Sequence, residues 1–470
     1  MIRRLWESPT FTTWASVAIR AVGAVVVLPI LVTRLSSAEV AVWYLFVSVF
    51  LLQTLGDWGL APTFTRVIAF AMSGNTDLRF LEQSSPRQTG QPDWAFIARI
   101  WSTMRAVYNR AALIVACVLA VVGTLSVARP ISFLSDPETG WTAWFIVLAT
   151  SIVSLRGNAF GAYLQGINQV ALYRRWEAIT AIGAILSTVT VLLLGGGLLA
   201  LVIANQTWLL LNQLRDWQLC RIVAGGRFRS FKDRETDPAV WAIVWPSAWR
   251  SGLGVIVSRG ITWGSGLVYA QLIEPGPLAS YLLGLRAIQL VSDFSQGPFY
   301  SKIPVLARLR AGGDFSRQLE VAKRGMRLSH WTFTVLFLIV AISAAPILSA
   351  IGSTVPFASP GLFTVLGLAF FTERFGAMHL QLYSTTNRII WHTANGISGA
   401  IAIGVAVISL RFLNVLAFPV GVLAGNLGFY SWYPAREVYR LFGERFWSFE
   451  RSVSLVPWTL IAVYAASTLY

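Results

Sequence analysis

Apolar runs of about 20 residues recur from one end of this 470-residue sequence to the other. Each is long enough to cross a hydrocarbon layer of about 30 Å. Inside such a layer, only helices and closed barrels satisfy their own backbone N–H and C=O groups. A barrel would read as short strands of alternating polarity. The runs here are continuous, so the chain reads as all-α and polytopic. Composition agrees: 55% of residues are hydrophobic, 12% are charged and mean hydropathy is +0.62, against roughly a quarter charged in a soluble domain. The first run, residues 11–35, is too long for a cleavable signal peptide, and no small-residue cleavage site follows it.

Spans are expected at 12–33, 38–60, 111–134, 141–164, 177–195 and 197–219. A second set is expected at 241–271, 278–300, 328–349, 361–383, 392–410 and 414–433. Residues 453–470 read as a candidate thirteenth span. The organisation that follows is an N-terminal six-helix bundle (1–220), a cytoplasmic linker (221–240), a C-terminal six-helix bundle (241–433) and a tail (434–470). In that tail, residues 435–451 alternate arginines with Trp, Phe, Leu and Tyr. At helical spacing this pattern suits an amphipathic helix on an anionic leaflet.

Charge placement predicts the orientation. With the N-terminus inside, the inner segments carry 28 Lys and Arg residues and the outer loops carry three, Arg34, Arg129 and Arg411. The positive-inside rule therefore places the N-terminus in the cytoplasm. It also accounts for most of the formal charge of +16 without nucleic acid as a partner. Residues 73–93 are polar and rich in turn formers, and read as a flexible connector. Cys117 and Cys220 are expected to be small buried hydrophobes. His330, His379 and His392 have no metal-ligand spacing, and no G-x-x-x-x-G-K-[ST] loop is present. Neither a metal nor a cofactor is implied.

Six elements of 56-GDWGLAPTFTR-66 recur in 293-DFSQGPFYSK-302 at one offset of 236 residues. Asp57 matches Asp293, Trp58 matches Phe294, Pro62 matches Pro298, Phe64 matches Tyr300, Thr65 matches Ser301 and Arg66 matches Lys302. Arg20 in span 1 likewise matches Arg259 in span 7. In span 4, Arg156 precedes 160-FGAYLQ-165; in span 10, Arg374 precedes 375-FGAMHLQ-381. Six spans per half is an even number, so the repeat is parallel, with a pseudo-two-fold axis along the membrane normal. Such repeats mark transporters. Gly59 and Pro62 are expected to break span 2, with Asp57 capping the turn that follows.

The stretches 33-TRLSSAEVAVWYLF-46, 56-GDWGLAPTFTRVIA-69, 246-PSAWRSGL-253 and 276-GPLASYLLGLRAIQLVSDF-294 carry a family resemblance, which covers roughly residues 10–435. The chain resembles the multidrug/oligosaccharidyl-lipid/polysaccharide (MOP) exporter superfamily, and within it the Wzx-type polysaccharide or O-antigen flippases. The resemblance implies two bundles around a central cavity that opens alternately to either side. It implies a bacterial inner membrane and a substrate of oligosaccharide on polyprenyl pyrophosphate. Membrane lipids, a polysaccharide polymerase and a chain-length regulator are the implied partners.

The charged residues point the same way. Six arginines lie within spans: Arg20, Arg156, Arg250, Arg259, Arg286 and Arg374. At mid-bilayer each costs about 2.5–3.5 kcal/mol, so such residues are expected to face a bundle interior or a wet cavity. The acids counted beside them are Asp57, Asp293 and Glu373. A cationic lining suits an anionic head group, and the planar guanidinium suits phosphate oxygens. Arg66 and Lys302, with Asp57 and Asp293, are candidates for a cytoplasmic gate. Gln165 and Gln381 are candidate polar contacts to sugar. Rival readings are a cation/drug antiporter or a lipid II flippase of the same superfamily. A membrane enzyme is disfavoured, since the outer loops are short and carry no catalytic constellation.

Overall fold

The structure is a computed structural model. It describes residues 9–55, 57, 59–72, 91–231, 236–386 and 390–469. The described residues are helical with no strand. Helix covers most of each of the twelve expected spans, although 111–134 and 414–433 are built from shorter helices joined through π- or 3-10 turns. The N-terminal set comprises α1 (Pro9–Arg34), α2 (Ser37–Leu55), α3 (Leu60–Met72), α4 (Trp94–Val118), α5 (Thr124–Ser132), α6 (Pro137–Gly166), α7 (Val170–Leu193) and α8 (Leu198–Ile222). A π-turn, Leu119–Gly123, joins α4 to α5. The C-terminal set comprises α9 (Pro238–Leu272), α10 (Pro275–Tyr300), α11 (Ile303–Ala311), α12 (Phe315–Ala350), α13 (Pro360–Ser384), α14 (Trp391–Leu413) and α15 (Ala417–Gly425). It closes with α16 (Trp432–Phe442), α17 (Phe446–Val453) and α18 (Leu455–Leu469). Among the described residues, six helices are long and apolar enough to cross a membrane, or seven if α17 and α18 count as one bent span.

Helix starts follow from local chemistry. The Asp136 carboxylate accepts from the N–H groups of Glu138 and Thr139, and Pro137 opens α6. Ser359 and Pro360 do the same for α13. Proline at the first position forfeits an N–H that had no partner anyway. Ser36 and Glu39 close a capping box ahead of α2, each side chain bonding the other's backbone N–H.

The chain divides into two compact units between Gly252 and Leu253. In the first, α1 packs on α7, α6 on α8, and both α3 and α4 on α6. The pairs Thr150–Gln206 and Phe160–Cys220 advance together, so α6 and α8 run parallel. Thr180–Arg215 and Ser187–Trp208 run in opposite senses, so α7 and α8 are antiparallel. These directions are what six successive crossings require.

The expected linker, 221–240, does not hang free of this unit. Phe228 stacks edge-on against Trp101, at 4.7 Å, and also meets Tyr163. Val240 and Val244 at the start of α9 complete the same core. Arg99 Nε donates to Asp237 at 2.6 Å, which ties α4 to the head of α9.

In the second unit, Ser292–Arg374 joins the parallel pair α10 and α13. Phe333–Phe371 and Phe337–Phe363 mark α12 and α13 as antiparallel. Asn426 and Ser431 donate to the carbonyls of Ala369 and Thr372, so the last span runs parallel to α13. α13 is the centre of this unit: 83% of its apolar window is buried.

The tail departs from a single surface helix. α16 ends at Gly443, whose φ of 66° lets the chain reverse. α17 then buries Phe449, Glu450 and Val453. After a 71° bend, α18 runs back along α13, through Trp458–Phe371 and Thr468–Thr364. The apolar segment expected as a thirteenth span is thus packed antiparallel to a spanning helix. Cys220 is buried, whereas Cys117 lies exposed on an apolar face of α4. On a lipid-facing helix an exposed thiol needs no polar partner.

Asp237 gives a pH test of the α4–α9 tie. Partial burial pushes its carboxyl up, but Arg99 and the Ala239 N–H outweigh that and hold it below the usual 3.8. A depressed folded-state value adds stability above the unfolded value and loses it as pH falls through the folded one. Asp237→Asn is therefore expected to unfold at lower temperature than the parent at pH 6. The gap should close below about pH 4. A gap that persists unchanged there would contradict the assignment.

Candidate functional site

The charges in and beside the expected spans fall into separate places within each unit. In the first unit, Arg20 of α1 pairs with Glu177 of α7. Arg174, one turn earlier on α7, donates to the other Glu177 oxygen at 2.7 Å. Arg215 on α8 bonds Asp216 at 2.7 Å, and also Thr180 and Asn212. The Tyr173 ring lies 5.4 Å from the Arg174 guanidinium and 5.9 Å from that of Arg215. Three arginines and two carboxylates thus gather where α1, α7 and α8 meet. The set keeps one excess positive charge, and Arg20 keeps 45% of its side-chain surface. Charge-assisted N–H donors clustered at partial exposure can take an anion.

Sequence reasoning found Arg20 but missed Arg174, Glu177, Arg215 and Asp216. Glu177 and Arg215–Asp216 stood at the edges of expected spans, and Arg174 in the connector before one. The signal was there: Arg174 and Glu177 are spaced i, i+3 on one helix face. The inventory of acids accordingly gains Glu177 and Asp216, and Arg20 is paired rather than free.

Asp57 does cap the break. Its Oδ2 accepts from the Ala61 N–H at 3.1 Å, and its backbone carbonyl accepts from the Leu60 N–H at 2.7 Å. The Tyr108 hydroxyl donates to the other carboxylate oxygen. Gly59, with φ at +67°, makes the turn. The second half does not repeat the break, and α10 runs unbroken through Asp293 to Tyr300. The position matching Gly59 is Ser295, which has no comparable access to positive φ. Asp293 is exposed and takes a contact from Gln296 at 3.4 Å. Arg66 is exposed on α3, and Lys302 stands exposed at the N-cap of α11.

Arg374 is buried on α13. Its Nη2 donates to the Ser292 hydroxyl at 2.6 Å and the Ser292 carbonyl at 3.0 Å, while its Nε has no partner. Arg156, its expected counterpart, is exposed on α6. The Phe-Gly-Ala register explains this: it aligns Arg374 with Ala159, three residues past Arg156. Arg286 is half-buried on α10. The side chains of Arg250 and Arg259 lie outside the described residues. Gln165 turns its amide onto the Gly161 carbonyl, and Gln381 is half-buried on α13. Glu373 lines a small hollow with Asn395, Ser398 and Asn426. Among the described residues, no three His, Cys, Asp or Glu side chains gather as metal ligands.

Solved structures match this arrangement over nearly its whole length. An inward-facing multidrug resistance MATE transporter of the MOP superfamily aligns with a TM-score of 0.62 at 12% identity, over 91% of this chain and 98% of its own. The lipid II flippase MurJ, in an inward closed conformation, aligns with a TM-score of 0.59 at 14% identity, over 98% of both chains. The chain has the fold of the MOP-superfamily transporters. A point mutant of the Vibrio cholerae MATE transporter VcmN aligns at 0.55 and 11% identity, over 94% of this chain and 99% of its own. No protein-family model and no curated protein sequence matches the chain. At these identities the MOP likeness is one of fold.

Asp57 offers a clean test of the break between α2 and α3. Asp57→Ala removes a cap and a buried acceptor, and is expected to lower stability by about 0.5–2 kcal/mol. Asp57→Ser keeps a capping oxygen and should recover part of that loss. Thermal unfolding in detergent reads both. Equal stability of all three proteins would contradict the capping role.

Proposed function

We propose that the chain is a flippase. It carries a polyprenyl-pyrophosphate-linked oligosaccharide, a polysaccharide repeat unit, from the inner to the outer leaflet of a bacterial plasma membrane. The observation that carries this reading is the arginine excess where α1, α7 and α8 meet, formed by Arg20 within a span and by Arg174 and Arg215 near the ends of α7 and α8. A site for cationic drugs would carry the opposite sign. A pyrophosphate head group supplies the anion, and guanidinium forks match its oxygens in pairs. Arg156, Arg250, Arg259 and Arg286 are further cationic candidates, whereas Arg374 is taken up by Ser292 and holds α13 to α10. Arg66 and Lys302, at matched junctions with Asp57 and Asp293, receive the head group on entry. Gln165 and Gln381 supply polar contacts to sugar hydroxyls. A polymerase and a chain-length regulator would act on the delivered unit.

In this mechanism the head group crosses by alternating access while the polyprenyl tail stays in lipid. A pyrophosphate diester carries about two negative charges. With 100 mV negative inside, export of each is favoured by about 2.3 kcal/mol, so about 4.6 kcal/mol is available without a counter-ion. The same fold serves lipid II in one neighbour and multidrug export in others, so both remain rival cargoes. The neighbours are transporters, which agrees with a chain that is not an enzyme.

Binding separates these cargoes. The full-length protein in nanodiscs is expected to bind a short-chain polyprenyl-pyrophosphate oligosaccharide. Arg20→Ala combined with Arg174→Ala should weaken that binding at least tenfold, and high salt should weaken it in the parent. Preferential binding of lipid II would redirect the reading to peptidoglycan. Binding of cationic dyes with no response to the anionic lipid would overturn it.

A further inference from the structure

A second, chemically distinct pocket lies in the C-terminal unit. It occupies the fork between α16 and the bent α17–α18 pair, with Phe375 of α13 at its base. Its volume is about 550 Å³, within the roughly 300–1,000 Å³ typical of ligand pockets. Trp432, Phe446, Trp447, Leu455 and Trp458 form most of the wall, and Arg436 stands at its edge. Trp447 is 68% exposed and Phe446 49%. Large aromatic groups left open at the end of a spanning helix are typical of a membrane interface.

The charges around this pocket are one-sided in effect, although the sequence is not. Residues 434–451 hold three glutamates and four arginines. Every glutamate is engaged within the fold. Glu437 accepts from Arg440 at 3.4 Å, and Glu444 from Lys323 at 2.8 Å. Glu450, at the pocket wall, accepts from Tyr439 at 2.7 Å and from Ser454, and stands 3.2 Å from His379 Nε2. Arg436, Arg445 and Arg451 make no ion pair among the described residues. The pocket therefore presents an aromatic interior with one unneutralised guanidinium, Arg436, in its lining, and Arg445 and Arg451 lie on the same short helical tail.

We propose that this fork binds one anionic phospholipid of the surrounding bilayer, with an acyl chain between the aromatic side chains and the phosphate at Arg436. Charge complementarity selects the occupant: a zwitterionic lipid would leave the arginine excess unmatched, and a neutral apolar ligand would not engage it. The bound lipid fills the gap between α16 and α17–α18 and fixes the tail against α13. The site is independent of what the protein transports.

Native mass spectrometry of the full-length protein tests this, with phosphatidylglycerol, phosphatidylethanolamine and a polyprenyl monophosphate added in turn. The parent is expected to retain one phosphatidylglycerol in preference to phosphatidylethanolamine. Arg436→Gln should weaken that retention at least tenfold, while Arg436→Lys and Arg110→Gln, on α4 of the first unit, should preserve it. A photoreactive acyl chain should cross-link to the peptide that contains Trp447. Equal retention by parent and Arg436→Gln, cross-linking elsewhere, or displacement of phosphatidylglycerol by stoichiometric polyprenyl phosphate would each overturn the proposal.

Discussion

A guanidinium cannot shed its charge in a protein, so an arginine among apolar helices must find acceptors or water. The arrangement of this chain follows from how each arginine meets that demand. Arg374 meets it with the hydroxyl and carbonyl of Ser292, and so fastens α13 to α10. Arg20 meets it with Glu177, and so fastens α1 to α7. The first is sealed in the protein. The second keeps nearly half its surface and shares its acid with another arginine. Burial without exposure makes an arginine a fastener, whereas partial exposure with surplus charge leaves it able to take an anion.

Much of the fold was legible because hydropathy over 20 residues is a strong signal and the bilayer admits few structures. The all-helical architecture, the break at Gly59 and the Asp57 cap could all be read from local chemistry. The partners could not. Glu177 and Asp216 lie at the margins of apolar runs, where sequence alone does not say which helix comes alongside. The internal repeat misled where one residue mattered. Ser295 stands at the place of Gly59, and the second half keeps a continuous helix where the first turns. The tail was legible as amphipathic, but its burial of Glu450 depends on Tyr439, Ser454 and His379, three positions scattered over 76 residues of sequence.

Fold and cargo are separate conclusions. The MOP architecture is shared with exporters of drugs and with a lipid II flippase at 11–14% identity, and a shared architecture does not select a substrate. Sign of charge does more. The cluster of Arg20, Arg174 and Arg215 against Glu177 and Asp216 favours an anionic head group. A basic surface around the aromatic fork of the tail favours anionic lipid there as well. The chain thus keeps two cationic features in two units, one with polar neighbours suited to a hydrophilic head group and one with aromatic neighbours suited to a chain.

The most direct test of the central claim is the voltage dependence of flipping in proteoliposomes. A polyprenyl-pyrophosphate oligosaccharide is placed on the side equivalent to the cytoplasm, and arrival of its sugar on the other face is read with a glycosidase. The account predicts a rate that rises as the starting side is made more negative, and that collapses when Arg20 and Arg174 are both alanine. A rate indifferent to potential and to both arginines, or export of cationic drugs in place of the lipid, would contradict it.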